Sequence, residues 1–151
     1  MKAQETVGYQ IKTTWQSITK MYNRITSEFG FTQAIGYVLV NVKKGGIPVT
    51  KIAPNMGIEA TSLSRLLNTM EEKGLIYREK DTLDRRVVNL FLTEKGLELQ
   101  KISKKTVIDY NNYIFSHFSK EELETFFRVI DKINTLTLDI TDASVFQKEK
   151  D

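Results

Sequence analysis

The hydrophobic period of this chain changes abruptly between residues 58 and 93, and that change restricts the fold more than any other sequence feature. Leu63, Leu66, Leu67 and Met70 recur at i, i+3, i+4 and i+7, which predicts a helix with one apolar, inward-packing face. At 3.6 residues per turn, Thr61, Arg65, Asn68 and Glu72 fall on the opposite face. Gly74 stands where a helix can end through a left-handed residue. Two extended runs follow, Leu75 to Lys80 and Val87 to Leu92, joined by a polar tip that carries Asp84, Arg85 and Arg86. Helix, hairpin and basic tip in this order suggest a winged helix-turn-helix, whose helix enters a major groove and whose tip reaches the flanking backbone or minor groove. An ordinary β-ribbon with solvated arginines has the same periodicity, so the pattern alone leaves both readings open.

Upstream, Val7, Ile11, Trp15, Ile18, Tyr22, Ile25 and Phe29 predict one long amphipathic helix of about six turns. So long a stripe on so small a chain requires a covering surface, either the chain's own last helices or a second molecule. Gly30 ends it, and Thr32 is positioned to cap a second helix over residues 33–44, before Gly45-Gly46. Ile47-Pro48-Val49 reads as extended. Thr50 is expected to cap a short helix over residues 51–56, with Gly57 at the turn into the helix that carries Leu63 to Met70. Pro54 forfeits an intrahelical hydrogen bond there, which predicts a tightened first turn. Downstream, Thr93 is expected to cap a helix over residues 94–116. Ser119 and Glu122 have capping-box spacing, with Phe118 and Leu123 at the staple positions. Leu123, Phe126, Phe127, Ile130, Ile133 and Leu136 share one face of the last helix. At this spacing Phe126 and Phe127 are expected to be core, with the lining of a ligand cavity as the other reading. The polar tail after Thr141 is expected to fray.

Composition excludes more than it indicates. The chain has no cysteine, so disulfides, thiolate metal sites and thiol-based redox sensing are ruled out. One histidine, His117, argues against a transition-metal site. Neither a Gly-rich phosphate loop nor a nucleophile–base constellation is present, and an enzyme is not expected. No apolar run approaches membrane-spanning length, and the N-terminus lacks the layout of a secretory signal, so a cytoplasmic protein without membrane contact is expected. The net charge of +3 divides as +4 over residues 1–48, +1 over 49–93 and −2 over 94–151. Bulk charge would not by itself have suggested nucleic acid.

The stretch nonetheless resembles the DNA-binding domain of the MarR (multiple-antibiotic-resistance regulator) family. The resemblance lies in Leu63-Ser64-Arg65-Leu66-Leu67 and in Met70-Glu71-Glu72-Lys73-Gly74-Leu75-Ile76. It lies above all in the wing signature Asp-x-Arg, apolar strand, Leu-Thr and glycine, here Asp84, Arg86, Leu92, Thr93 and Gly96. It extends over nearly the whole chain and is specific between Thr50 and Gly96. It implies a mainly α fold with a small β-hairpin wing: a single MarR-type domain over residues 1–151. Within it, residues 32–93 would form the winged helix-turn-helix, and residues 1–31 and 94–141 a helical dimerisation lobe. A short strand near Ile47 to Val49 would pair with the hairpin.

The expected function is that of a homodimeric, sequence-specific transcriptional repressor. It would bind double-stranded DNA at a pseudo-palindromic operator with half-sites about one helical turn apart. The expected contacts are Arg65 to a guanine or a phosphate, with Thr61, Ser62 and Ser64 as short donors and Asn68 as a reader of adenine. At the wing, Arg86 matches the signature arginine, Arg85 is a second contact, and Asp84 orients an arginine by a charge-assisted bond. Thr50 and Lys51 are expected to hold phosphate. Family members commonly bind small aromatic or amphipathic anions between the helical lobe and the winged part, which favours a spacing of recognition helices that misses the half-sites. Trp15, Tyr22 and Tyr37 would line that crevice and Arg24 would pair the anion, although aromatic residues on a helical stripe are more often core. No cofactor is implied. The rival reading is a winged-helix module that binds protein through its exposed helix, a reading that the weak charge of residues 49–93 favours and the wing arginines oppose.

Overall fold

The computed structural model describes residues 1–147. Its elements are α1 (Val7–Ser27), α2 (Gln33–Asn41), β1 (Ile47–Pro48), α3 (Ile52–Met56), α4 (Ala60–Glu72), β2 (Ile76–Lys80), β3 (Val88–Leu92), α5 (Glu94–Phe115) and α6 (Lys120–Asp139). The chain divides into two compact units, residues 1–108 and 109–151, with the division inside α5.

The first unit holds the core. Phe31, Ile35, Val38, Leu39 and Val42 meet Ile52, the Leu63–Leu67–Met70 face of α4, and Leu75, Ile76 and Leu90 of the wing. Three of the four residues of the apolar stripe predicted on α4 are thus buried, and Leu66 packs at the rim. The sheet runs β1-β3-β2, all antiparallel. Ile47 faces Leu90 across β1 and β3, so the short strand pairs with the hairpin as the resemblance implied. On β2 and β3, Tyr77 and Phe91 are opposite one another and stack with ring centroids 5.4 Å apart.

Two helix boundaries differ from expectation, each for a hydrogen-bonding reason. Helix α2 stops at Asn41, and Val42 is extended. The carbonyls of Leu39, which also accepts from the Val42 N–H at 3.3 Å, and of Val42 both accept from the buried Gln100 Nε2 on α5, at 2.5 and 2.8 Å. Thr50 does not cap α3; it lies inside a 3-10 turn, Val49–Lys51, that leads into the helix, and Lys51 occupies the cap position without a side-chain bond. Pro54 has no N–H to donate to the Thr50 carbonyl, so an α-helical ladder cannot start there. The tighter i→i+3 bond from Ile52 N–H to the Val49 carbonyl takes over.

Where α4 meets the wing, the chain turns in a compact hydrogen-bonded knot. Gly74 has φ +66, and the N–H groups of Gly74 and Leu75 return to the carbonyls of Glu71 and Met70. Thr93 then caps α5. Its hydroxyl donates to the Gly74 carbonyl at 2.7 Å and accepts from Gly96 N–H at 3.1 Å, while its N–H reaches the Leu75 carbonyl. A Cβ on Gly96 would overlap that same Leu75 oxygen, so only glycine admits this approach. Thr93 and Gly96 therefore have a structural role, which is to fasten the start of α5 to the end of α4.

In the second unit, Ser119 and Glu122 form the predicted capping box of α6, with both reciprocal bonds present. The predicted core role of Phe126 and Phe127 fails. Phe127 stacks edge-on with Phe115 and Phe126, yet both residues remain more than half exposed, and no residue of α6 is buried. An apolar face at helical spacing requires some cover, and α6 does not find it within its own unit. Residues 143–147 form a 3-10 turn where the polar composition predicts fraying; the rest of the tail lies outside the described residues.

Candidate DNA-binding surface

Burial of Leu63, Leu67 and Met70 turns the other side of α4 outward and leaves Thr61, Ser62, Ser64, Arg65, Asn68 and Thr69 exposed. These side chains are not equally available. Ser64 and Thr69 donate their hydroxyl protons back along the helix, to the carbonyls of Ala60 and Arg65. The Arg65 guanidinium has no side-chain partner among the described residues, so its full set of donors faces solvent. Asn68 is engaged: its Oδ1 accepts from Arg78 Nη2 at 2.9 Å, and the same nitrogen lies 3.3 Å from Glu71 Oε2. Arg78 on β2 thus joins the wing to α4. Its place in the charged Arg78-Glu79-Lys80 run, all outward in sequence terms, gave no signal of this contact.

The wing tip is organised by two carboxylates. Asp81 accepts from the N–H groups of Leu83 and Asp84 and, through its second oxygen, from Asn89 Nδ2 at 2.9 Å. These bonds, from the Asp84 N–H first, then Leu83, then Asn89, hold its pKa below the ordinary carboxylate value. Asp84 accepts from Arg86 through the guanidinium, at 3.1 and 3.3 Å, and through the backbone N–H at 3.0 Å. The Arg86 side chain is the main reason that the Asp84 carboxyl is also depressed. Arg86 is held by one edge of its guanidinium while its side chain stays 91% exposed, and Arg85 beside it is also exposed. Thr50 and Lys51 are exposed as well, on the turn before α3.

A cleft of about 680 Å³ opens beside α4. Trp15 of α1, Gln33 and Tyr37 of α2, Met56, and Ser62 and Leu66 of α4 line it. Of the four residues expected around a ligand, Trp15 and Tyr37 are in the lining; Tyr22 and Arg24 are not. Arg24 lies nine residues beyond Trp15, about two and a half turns, which puts it on the opposite side of α1. None of the lining side chains is charged. Ser62, expected at DNA, is shared between the cleft and the exposed face of α4.

Among the described residues no cluster of His, Asp and Glu is arranged to hold a metal, and no helix is long and apolar enough to cross a membrane.

Comparison with known proteins places this geometry. The MarR family model matches residues 43–88, from the turn before β1 to the start of β3. The transcriptional repressor MdtR of Bacillus subtilis is 38% identical over 68 residues, which are 44% of this chain and 44% of that protein. The matched segment therefore spans less than half the length of that relative. Over the whole fold, a crystal structure of the S. aureus MepR–DNA complex aligns with a TM-score of 0.81 and 22% identity, covering 90% of this chain and 99% of that one. The transcriptional regulator SlyA aligns with a TM-score of 0.76 and 22% identity, over 85% of this chain and 91% of that one. Residues 43–88, which hold the helix-turn-helix and the wing, are thus similar to the MarR family, and the chain as a whole has the fold of the MepR and SlyA structures.

Proposed function

We propose that the protein is a sequence-specific DNA-binding transcriptional regulator, acting as a homodimeric repressor on a pseudo-palindromic operator. One observation carries the reading: α4 turns an unpaired guanidinium outward at Arg65 while the wing, fastened to the end of that helix, presents Arg86 and Arg85 at its tip. A helix of this kind reads base edges in a major groove, and a basic tip beside it holds the flanking phosphates. Two related proteins lend support, since the MepR protein that this fold resembles is bound to DNA and MdtR is named a repressor. The family is one of regulators and not of enzymes. Dimerisation is supported by the exposed apolar residues of α1 (Val7, Ile11 and Trp15) and of α6 (Phe126, Phe127 and Leu136).

Release by a small ligand is the second part of the proposal, and the cleft beside α4 is its site. Trp15 and Tyr37 supply aromatic walls, Gln33 and Ser62 polar handles. With an uncharged lining, the cleft suits a neutral aromatic or amphipathic molecule better than the anion that the resemblance implied. Because Ser62 and Leu66 belong to α4, an occupant touches the recognition helix directly.

The test is fluorescence anisotropy on DNA from upstream of the protein's own gene, with a scrambled duplex as control and a salt series. Tight binding that prefers the upstream sequence and weakens steeply with salt is expected, because phosphate contacts release counterions. Weak binding to every duplex, including those enriched from a random pool, would sink the proposal in favour of a protein-binding module.

A further inference from the structure

Leu83 stands at the apex of the wing with 97% of its surface in solvent, and among the described residues no large apolar side chain except that of Met1 is as exposed. A singly exposed leucine is ordinary on a protein surface. This one differs in what surrounds it. The loop that carries it is closed by two backbone bonds, Asp81 N–H to the Val87 carbonyl and Val87 N–H to the Asp84 carbonyl, each 2.9 Å. Asp81 takes up the N–H groups of Leu83 and Asp84 through one oxygen, and Asn89 donates to the other. Asp84 in turn is engaged by Arg86. The loop is thus held without help from the Leu83 side chain, and both of its carboxylates are occupied. What the apex offers a partner is Thr82, Leu83 and the exposed Arg85 and Arg86, an apolar side chain close to two cations.

We infer that Leu83 is a minor-groove contact: Arg85 and Arg86 hold the phosphates that border the groove, and the leucine packs on the groove floor, where it selects base pairs without an exocyclic amino group. Leucine is among the side chains that minor-groove binders insert, and base pairs differ there chiefly by the guanine N2 amino group. That group adds bulk to the floor and an N–H donor for which leucine has no acceptor. An A·T pair presents neither. The inference rests on the reading of the wing as a DNA-contacting element, and it gives the wing a part in specificity that arginines bound to phosphates do not have.

The experiment uses the full-length protein and duplexes that it enriches from a random pool. At each pair the amino group is added (diaminopurine for adenine) or removed (hypoxanthine for guanine), exchanges that leave the major-groove edges unchanged. Anisotropy titrations at several salt concentrations compare the natural protein with Leu83→Ala, Leu83→Met, Arg86→Ala and the Arg85→Ala/Arg86→Ala double variant. At one position per half-site an amino group should weaken binding of the natural protein and of Leu83→Met by about tenfold, the scale of one mismatched pair, and leave Leu83→Ala indifferent. On the amino-free duplex Leu83→Ala should bind about tenfold more weakly, the lower end of what burying a leucine contributes. Its salt slope should equal that of the natural protein, because an apolar contact releases no counterion, whereas Arg86→Ala should lower the slope. The side chain is solvated in the free protein and the Asp81 bond is made by the backbone, so Leu83→Ala leaves the loop in place. Full affinity in Leu83→Ala, a loss that comes with a smaller salt slope, an amino-group penalty that persists in that variant, or no penalty at any position in the natural protein would each overturn the inference. A natural protein that prefers no duplex would instead overturn the DNA reading beneath it, and a double arginine variant with natural affinity and slope would overturn the part of that reading that concerns the wing.

Discussion

Arg65 and Arg86 carry the same charge but differ in what holds them. Arg65 is unpartnered on the helix face; Arg86 is held along one edge by Asp84. A free guanidinium on a recognition helix suits a bidentate base contact, so Arg65→Ala should cost about 1–3 kcal/mol on the preferred duplex and relax preference at one position. Arg86→Ala should weaken binding to all duplexes alike and reduce the salt slope by about one phosphate contact. Unchanged anisotropy titrations for either variant would remove that arginine from the interface. Protonation makes a separate prediction at the wing tip. The carboxyls of Asp81 and Asp84 are both depressed, Asp81 by the Asp84, Leu83 and Asn89 donors and Asp84 by Arg86. A depressed carboxylate stabilises the fold fully above its unfolded pKa, and the contribution disappears as pH falls through the lower, folded value. The amide resonances of Leu83, Asp84 and Arg86 should therefore hold steady from neutral pH down to about 4, where free aspartate titrates, and move only in stronger acid. Movement already above that range would mean that these bonds do not order the tip in solution.

Among the elements, the junction of α4, β2 and α5 sets the angle at which helix and wing are presented together. Thr93, Gly74 and Gly96 form it through three hydrogen bonds and one backbone approach too close for a side chain. Gly96→Ala should thus destabilise the protein by at least the roughly 1–3 kcal/mol of an overpacked site, because the obstructing atom is a backbone oxygen that cannot swing away. An unchanged melting temperature would show that the junction can open without loss. Much of this element scale was readable beforehand. The period-3.6 stripe of α4, the alternation into β2 and β3, Gly74 and the Ser119–Glu122 box all report on neighbours within a turn or two, where chain geometry leaves few choices. Thr50 misled for the same local reason: it has a capping residue's chemistry, but Pro54, four residues on, removes the donor that an α-helical start at that point requires.

For the molecule as a whole, the main signal is apolar surface that α1 in the first unit and α6 in the second each leave exposed within their own unit. Trp15 is half exposed, Phe126 and Phe127 slightly more so, and α6 buries none of its residues. At about 25 cal/mol per Å² of apolar area, leaving such faces in water is costly, which is the ground for the proposed dimer. Asp in place of Ile18 or of Ile133, each half-buried on its stripe, should shift the protein from dimer to monomer in sedimentation equilibrium and weaken operator binding with it. A soluble variant that stays dimeric would move the interface to other residues. By itself the sequence determined the order and type of the elements and the outward face of α4, since periodicity, caps and turn residues act over a few positions. Only the tertiary structure decided that Gln100 closes the end of α2, that Trp15 and Tyr37 share a cleft with α4 and that Arg78 takes the oxygen of Asn68. Those contacts join residues on different elements of the chain, and they depend on where the core places each backbone.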